Sequence, residues 1–219
     1  MKGSFLSFII CCTLSALAQG KKGFVTTNQS TENIEEGFTI RTFDTRYEGV
    51  VGHPYLFESF LDIIVTTHSG DQVSFNGNLN IYEKAIVMNN SYKMLPLERV
   101  KNIEGEGKIF KILKENDQFL IVRNLHQGED FSLLKSYNKI FKEAQYSGAY
   151  SAGKTRDQFK DNHQLLILRD NAMVPFRFNY SSIAELYGVP KKTVRQKIRD
   201  SYLNIQIEEQ YSAILQLFE

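Results

Sequence analysis

Along most of this chain hydrophobic positions come in short runs punctuated by polar turn residues, and the period changes only near the C-terminus. Between residues 60 and 146 the runs are rich in β-branched and aromatic residues and are separated by Gly, Asn and Asp. Residues 60–67 predict a strand, Ser69-Gly70-Asp71 its turn, and 72–75 the returning strand. Asn76-Gly77-Asn78 reads as a second turn. Strands over 79–82, 85–88 and 92–95 continue the series, with Glu83-Lys84 turning between the first two. Turn residues that accept positive φ, set between runs that suit a pleated and half-buried surface, form hairpins.

After Pro96, the residues Leu97, Val100 and Ile103 predict a segment that crosses from one sheet layer to another. Residues 109–113 and 119–122 flank Glu115-Asn116-Asp117, and 131–134 follow Gln127-Gly128-Glu129. Residues 140–146 read as the last strand of the series, although 137–144 also has helical propensity. Upstream, 38–43 predicts a first strand and 44–53, with Gly49 and Gly52, a loop. The small, Gly-rich stretch 147–153 marks a boundary. Beyond it, 163–169 and 174–178 predict a hairpin round Asp170-Asn171.

Then the period becomes helical. Ser182-Ile183-Ala184-Glu185 has the pattern of a capping box and predicts a helix start. Gly188 ends that helix and Pro190 suits the first turn of the next. Val194, Ile198 and Tyr202 recur every four residues, and Ile207, Tyr211, Ile214, Leu215 and Phe218 form a further stripe. The expected fold class is therefore α+β: mostly antiparallel β, as a curled sheet, sandwich or open barrel, with a C-terminal helical subdomain. The expected organisation is a signal peptide at 1–18, a flexible leader at 19–37 and a β-rich domain at 38–146. A linker at 147–156 and a hairpin with helices at 157–219 complete it.

The N-terminus bears on compartment. Met1-Lys2 gives a short positive region, residues 5–14 are almost unbroken apolar sequence, and Ala16-Leu17-Ala18 is a small-x-small cleavage pattern. This predicts export, with cleavage before Gln19 and residence in the periplasm or outer envelope. Neither Cys11 nor Cys12 follows the small residue that a lipid-attachment cysteine needs. Both lie within the predicted signal and are the only cysteines in the chain, so the mature protein would have no disulfide or thiolate chemistry. The full chain has 26 basic and 25 acidic side chains. Loss of Lys2 would leave the two signs equal, with no global field toward nucleic acid or an acidic membrane. No second apolar run approaches the roughly 20 residues of a membrane helix.

The Pro54-Tyr55-Leu56 entry, the Asn80-Ile81-Tyr82 turn approach and the run Phe131-Ser132-Leu133-Leu134-Lys135-Ser136-Tyr137 follow one order. The hairpin at 165–178 and a helix pair closing near Phe218 complete it. That order resembles an uncharacterised family of small exported proteins from Bacteroidota. The resemblance implies a periplasmic or outer-envelope location and brings no catalytic residues with it. The chain departs from the family pattern in ending Leu217-Phe218-Glu219 rather than in a tyrosine- and asparagine-rich terminus.

Candidate chemistry is sparse. His53, His68, His126 and His163 are too dispersed for metal-ligand spacing, and His68 and His126 adjoin turn residues, which predicts exposure. Asp44 and Glu48 are possible paired carboxylates on a loop. Gly105-Glu106-Gly107-Lys108 lacks phosphate-loop spacing and precedes a strand, so it reads as a plain turn. Sixteen Phe and eleven Tyr with no Trp offer a carbohydrate- or partner-binding face, though strands also need such residues. No catalytic residue, cofactor site or metal site is assigned.

Residues 183–199 resemble a helix-turn-helix, with Val194 and Ile198 inward and Lys191, Lys192, Arg195, Lys197 and Arg199 available to phosphates. The export signal, the balanced charge and the generality of the apolar spacing oppose DNA binding. The expected function is a non-catalytic exported envelope protein acting through a protein partner. The alternatives are an envelope enzyme whose acid/base site is assembled only in the fold, and a DNA-binding protein.

Overall fold

The structure, a computed structural model, describes residues 39–40, 47–89, 93–144 and 156–219. The expected signal sequence, the leader, Asp44 and all of the expected linker except Arg156 lie outside these residues. The first strands are β1 (Thr39–Ile40), β2 (Leu61–Thr67), β3 (Gln72–Asn80), β4 (Ala85–Met88), β5 (Lys93–Pro96) and β6 (Val100–Gly105). Next come β7 (Lys108–Glu115), β8 (Gln118–Gln127), β9 (Ser132–Tyr137), β10 (Lys139–Lys142) and β11 (Gln158–Asp161). A last hairpin, β12 (Gln164–Arg169) and β13 (Ala172–Phe176), leads to helices α1 (Tyr180–Tyr187), α2 (Lys191–Asp200) and α3 (Tyr211–Gln216). Eleven strands form one sheet in the order β1-β5-β4-β3-β2-β6-β7-β8-β9-β12-β13, and β10-β11 form a small second sheet. All strand pairs in both sheets are antiparallel.

Connectivity dictates the curl. In sheet order β5 and β6 are four positions apart, which in a flat sheet is about 19 Å. Only Leu97–Arg99 joins them, and four residue steps reach no further than about 14 Å. The sheet therefore rolls until the two strands approach each other, without closing. Its concave side holds one apolar cluster in which Ile63, Leu79, Leu95, Leu97, Val100, Ile103 and Phe110 are all buried. The segment after Pro96 makes the crossing that the sequence predicts.

Three two-residue turns, Glu106-Gly107, Asn116-Asp117 and Asp170-Asn171, have positive φ at both positions. That backbone twist matches the right-handed twist of the flanking strands. Gly105-Glu106-Gly107-Lys108 is accordingly a plain hairpin turn. At the far edge, Pro175 on β13 has no N–H to offer, which blunts the outer edge against pairing with another strand.

Three sequence expectations are corrected. Asn76-Gly77-Asn78 is not a turn but lies within the continuous strand β3. Asn76 bonds Asp62 and Asn89 across the sheet. Asn78 is buried and bonds the backbone of Phe57 and Ser59. Gly77 is needed for close approach: a Cβ there would stand 2.8 Å from the Phe75 ring and 2.9 Å from the Val87 carbonyl oxygen. The helical alternative at 137–144 gives way to strand β10, paired with β11. The first helix begins at Tyr180 rather than at Ser182, because the Asn179 side chain accepts from the N–H groups of Ser181 and Ser182.

Gly77→Ala is expected to lower unfolding stability by about 1–3 kcal/mol through overpacking. Urea denaturation measures it, and a loss below about 0.5 kcal/mol would contradict the close approach.

Candidate functional site

Nothing in β8 or β9 alone marks a site; the helices make one. In β9, Leu133, Lys135 and Tyr137 share one face, and the register places Arg123 of β8 opposite Lys135. Two cations directly across a sheet repel. Glu208 resolves this by taking Arg123 Nη2 on Oε1 and Lys135 Nζ on Oε2, each at 2.6 Å. Its own segment, Glu208–Gln210, is the turn of 3-10 helix that leads into α3. The three-charge bridge thus fastens the helical layer to the sheet. Apolar contacts continue the attachment: Leu133 and Ile167 of the sheet bury against Ile183, Val194, Ile198, Ile214 and Leu215.

A bulge between Asn124 and His126 pairs His126 with Leu133, on the helix side of the sheet. This corrects the expected exposure of His126, whose side chain is 1% exposed. Its Nδ1 lies 3.1 Å from Ser212 Oγ and its Nε2 lies 2.7 Å from Glu219 Oε1. Serine, histidine and carboxylate are the members of an acyl-transfer triad, and sequence reasoning missed them. The partners are 86 and 93 residues from His126 along the chain, so no local spacing announces them. The imidazole is enclosed, and its two contacts tie β8 to α3 and to Glu219 just beyond it. Gly128 leaves the room that the Glu219 carboxylate occupies.

The other histidines stay apart. His53 meets Glu58 at 3.3 Å, His68 is exposed, and His163 lies 3.7 Å from Asp161. Burial pushes the pKa of His163 below its ordinary value. Glu48 is exposed. Among the described residues no group of three or more His, Cys, Asp or Glu is placed to hold a metal ion. Nor is any helix among them long and apolar enough to cross a membrane.

The helix pair α1–α2 has the expected inward residues: Val194 and Ile198 are buried, in one cluster with Ile214 and Leu215 of α3. All five of its cations are exposed, and two of them meet partners within the chain. Arg195 stands over the Tyr180 ring, and Lys197 donates to the Leu217 carbonyl oxygen while lying over Phe218. Lys191, Lys192 and Arg199 are exposed.

Both helices of the pair end in the same motif. At the end of α1, Gly188 N–H donates to Glu185 O and Val189 N–H to Ala184 O. At the end of α2, Tyr202 N–H donates to Arg199 O and Leu203 N–H to Ile198 O. The residue between helix and exit must be left-handed in each case. Gly188 has φ 64° and Tyr202 has φ 56°. Glycine adopts that conformation freely, whereas a tyrosine there costs about 1 kcal/mol. No packing offsets the cost, because Tyr202 is 95% exposed. The Tyr202 ring is thus held out from the end of α2, open to solvent.

Comparison of the chain with protein-family models, with curated proteins and with solved structures found no match.

Glu208→Ala leaves Arg123 and Lys135 facing each other and is expected to destabilise the fold by about 1–3 kcal/mol. Glu209→Ala, on the exposed neighbour, is expected to change stability by less than about 0.5 kcal/mol. Equal effects in denaturant melts would mean that Glu208 does not fasten the helical layer.

Proposed function

We propose that this chain is a non-catalytic, exported envelope protein that works by binding a protein partner, with Tyr202 as a docking anchor. One observation carries the reading: a fully displayed tyrosine occupies a backbone position that glycine fills more cheaply in the neighbouring helix. Backbone strain that the fold itself does not need points to use by something outside the fold. Buried aromatic anchors supply much of the energy of protein interfaces, and Arg199 and Asp200, both exposed, immediately precede this turn in the chain. The charge–apolar–AxA order at residues 1–18 supports export with cleavage before Gln19.

The same reading excludes specific duplex binding by α1–α2. Two of the cations, though exposed, already have partners on the protein's own surface, and Glu208 and Glu209 follow closely in sequence. Gel shifts at low salt are expected to show at most weak attraction that fades by physiological salt. Sequence-selective binding that survives there would overturn this exclusion.

Replacing Tyr202 by the photo-crosslinking analogue p-benzoylphenylalanine in cells is expected to trap one discrete envelope protein, with the mature chain beginning at Gln19. Tyr202→Gly removes the strain, so it is expected to raise stability by up to about 1 kcal/mol. In competition with the crosslinking chain, the Gly variant should no longer displace the adduct. Either no adduct at 202, or equal competition by wild type and the Gly variant, would defeat the docking role.

A further inference from the structure

We propose that the polar pocket at one end of the curled sheet, built around Ser136, Asn138 and Lys84, binds a neutral sugar unit through its neighbouring hydroxyls.

Four connections converge to make it. The β3–β4 turn contributes Lys84, the β7–β8 turn Asp117 with Gln118 at the start of β8, the β9–β10 junction Asn138, and the β11–β12 junction Asn162. Ser136 of β9 and Gln164 of β12 complete the polar wall, and Phe119 gives it an apolar side. The cavity measures about 330 Å³, within the range of small-ligand sites. Turns at one end of the sheet can point their side chains at a common volume without disturbing the core.

Ser136 is the first sign that the pocket is built to be filled. It sits on the face of β9 that carries Leu134, next to an apolar cluster of Val122, Leu134 and Leu166. The residue is only 8% exposed, and its hydroxyl bonds no other described residue. That hydroxyl opens on the pocket and is free to hydrogen-bond a ligand that enters it. Beside it in register stands Gln164. Amide side chains carry a donor and an acceptor at fixed separation, which matches two adjacent hydroxyls. Four of them line this pocket.

Lys84 is the second, independent sign. Its φ is 56°, a conformation that favours glycine. Its Nζ donates to Asn138 Oδ1 at 3.0 Å, across 54 residues of sequence. The turn thus tolerates strain to present an amine at the pocket. Burial lowers the pKa of that amine from its ordinary value, which disfavours charge at this position. The carboxylate on the rim, Asp117, is paired with Lys114 at 2.9 Å. Four amide side chains outnumber the charged groups of the lining, and a polyhydroxyl ligand matches their paired donors and acceptors.

The test is amide chemical-shift titration of the ¹⁵N-labelled mature chain. The probes are the methyl glycosides of glucose, mannose, galactose and N-acetylglucosamine, with sodium acetate as an anion. At least one glycoside is expected to give saturable shifts at residues 117–120, 136–138 and 162–164. Its affinity should fall about fivefold or more in Ser136→Ala, which removes one hydrogen-bonding group, and similarly in Lys84→Gly. The Lys84→Gly midpoint of thermal unfolding should not fall, since glycine suits that backbone. This keeps loss of binding distinct from loss of fold. Absence of saturable shifts with all four glycosides, the same shifts with acetate alone, or unchanged affinity in both variants would overturn the proposal.

Discussion

The register of β9 is the constraint on which the rest depends. β9 is paired on both sides, to β8 and to β12, and both of its faces are buried. One face sends Leu133 into the helical layer, Lys135 to Glu208 and Tyr137 into the concave core. The other sends Leu134 into the outer cluster and Ser136 into the polar pocket. Because side chains alternate with period two, a slip of one residue would exchange these sets. Lys135 would then face the outer apolar cluster and Leu134 the carboxylate of Glu208. The seating of the helices that carry Tyr202 and the shape of the polar pocket both follow from one strand alignment.

From that alignment the helical layer follows in physical order. Five residue pairs join β12 to β9, and they extend the sheet beneath α1–α3. Apolar burial supplies most of the attachment, since about 25 cal/mol for each Å² removed from water outweighs single polar contacts. The charge bridge at Glu208 and the enclosed His126 add direction: they accept only one seating of α3 against β8. With the layer fixed, the end of α2 becomes a rigid platform, and the side chain presented there is an exposed tyrosine. Lys84 shows the same relation at the polar pocket. At both places a residue that is unfavourable for the backbone is found where its side chain faces solvent or a cavity rather than the packed core.

Much of the fold is legible in local sequence because hairpins are local objects. Asn116-Asp117 and Asp170-Asn171 turn as their composition predicts, and Val194 and Ile198 are buried as their spacing demands, but Tyr202 at the same spacing is exposed because the helix ends at Asp200. Asn76-Gly77-Asn78 misleads because its residue types serve two purposes. Glycine enables close packing as well as turning, and asparagine satisfies buried backbone as well as capping turns. The pairing of β12 with β9, the bulge that inverts His126 and the Glu208 bridge depend on residues far apart in sequence, so they have no local signature. The Ser136 pocket is hidden for the same reason. Serine inside an otherwise apolar strand is visible in the sequence, but the four turns that surround it are brought together only by the curl.

Native-state hydrogen exchange tests the role of β9 most directly. If its alignment holds sheet and helical layer in one cooperative structure, amides in residues 132–137, 164–168 and 194–198 will open with the same free energy and the same denaturant dependence as global unfolding. Opening of 164–168 and 194–198 at a distinctly lower free energy, while 132–137 stay protected through β8, would contradict it.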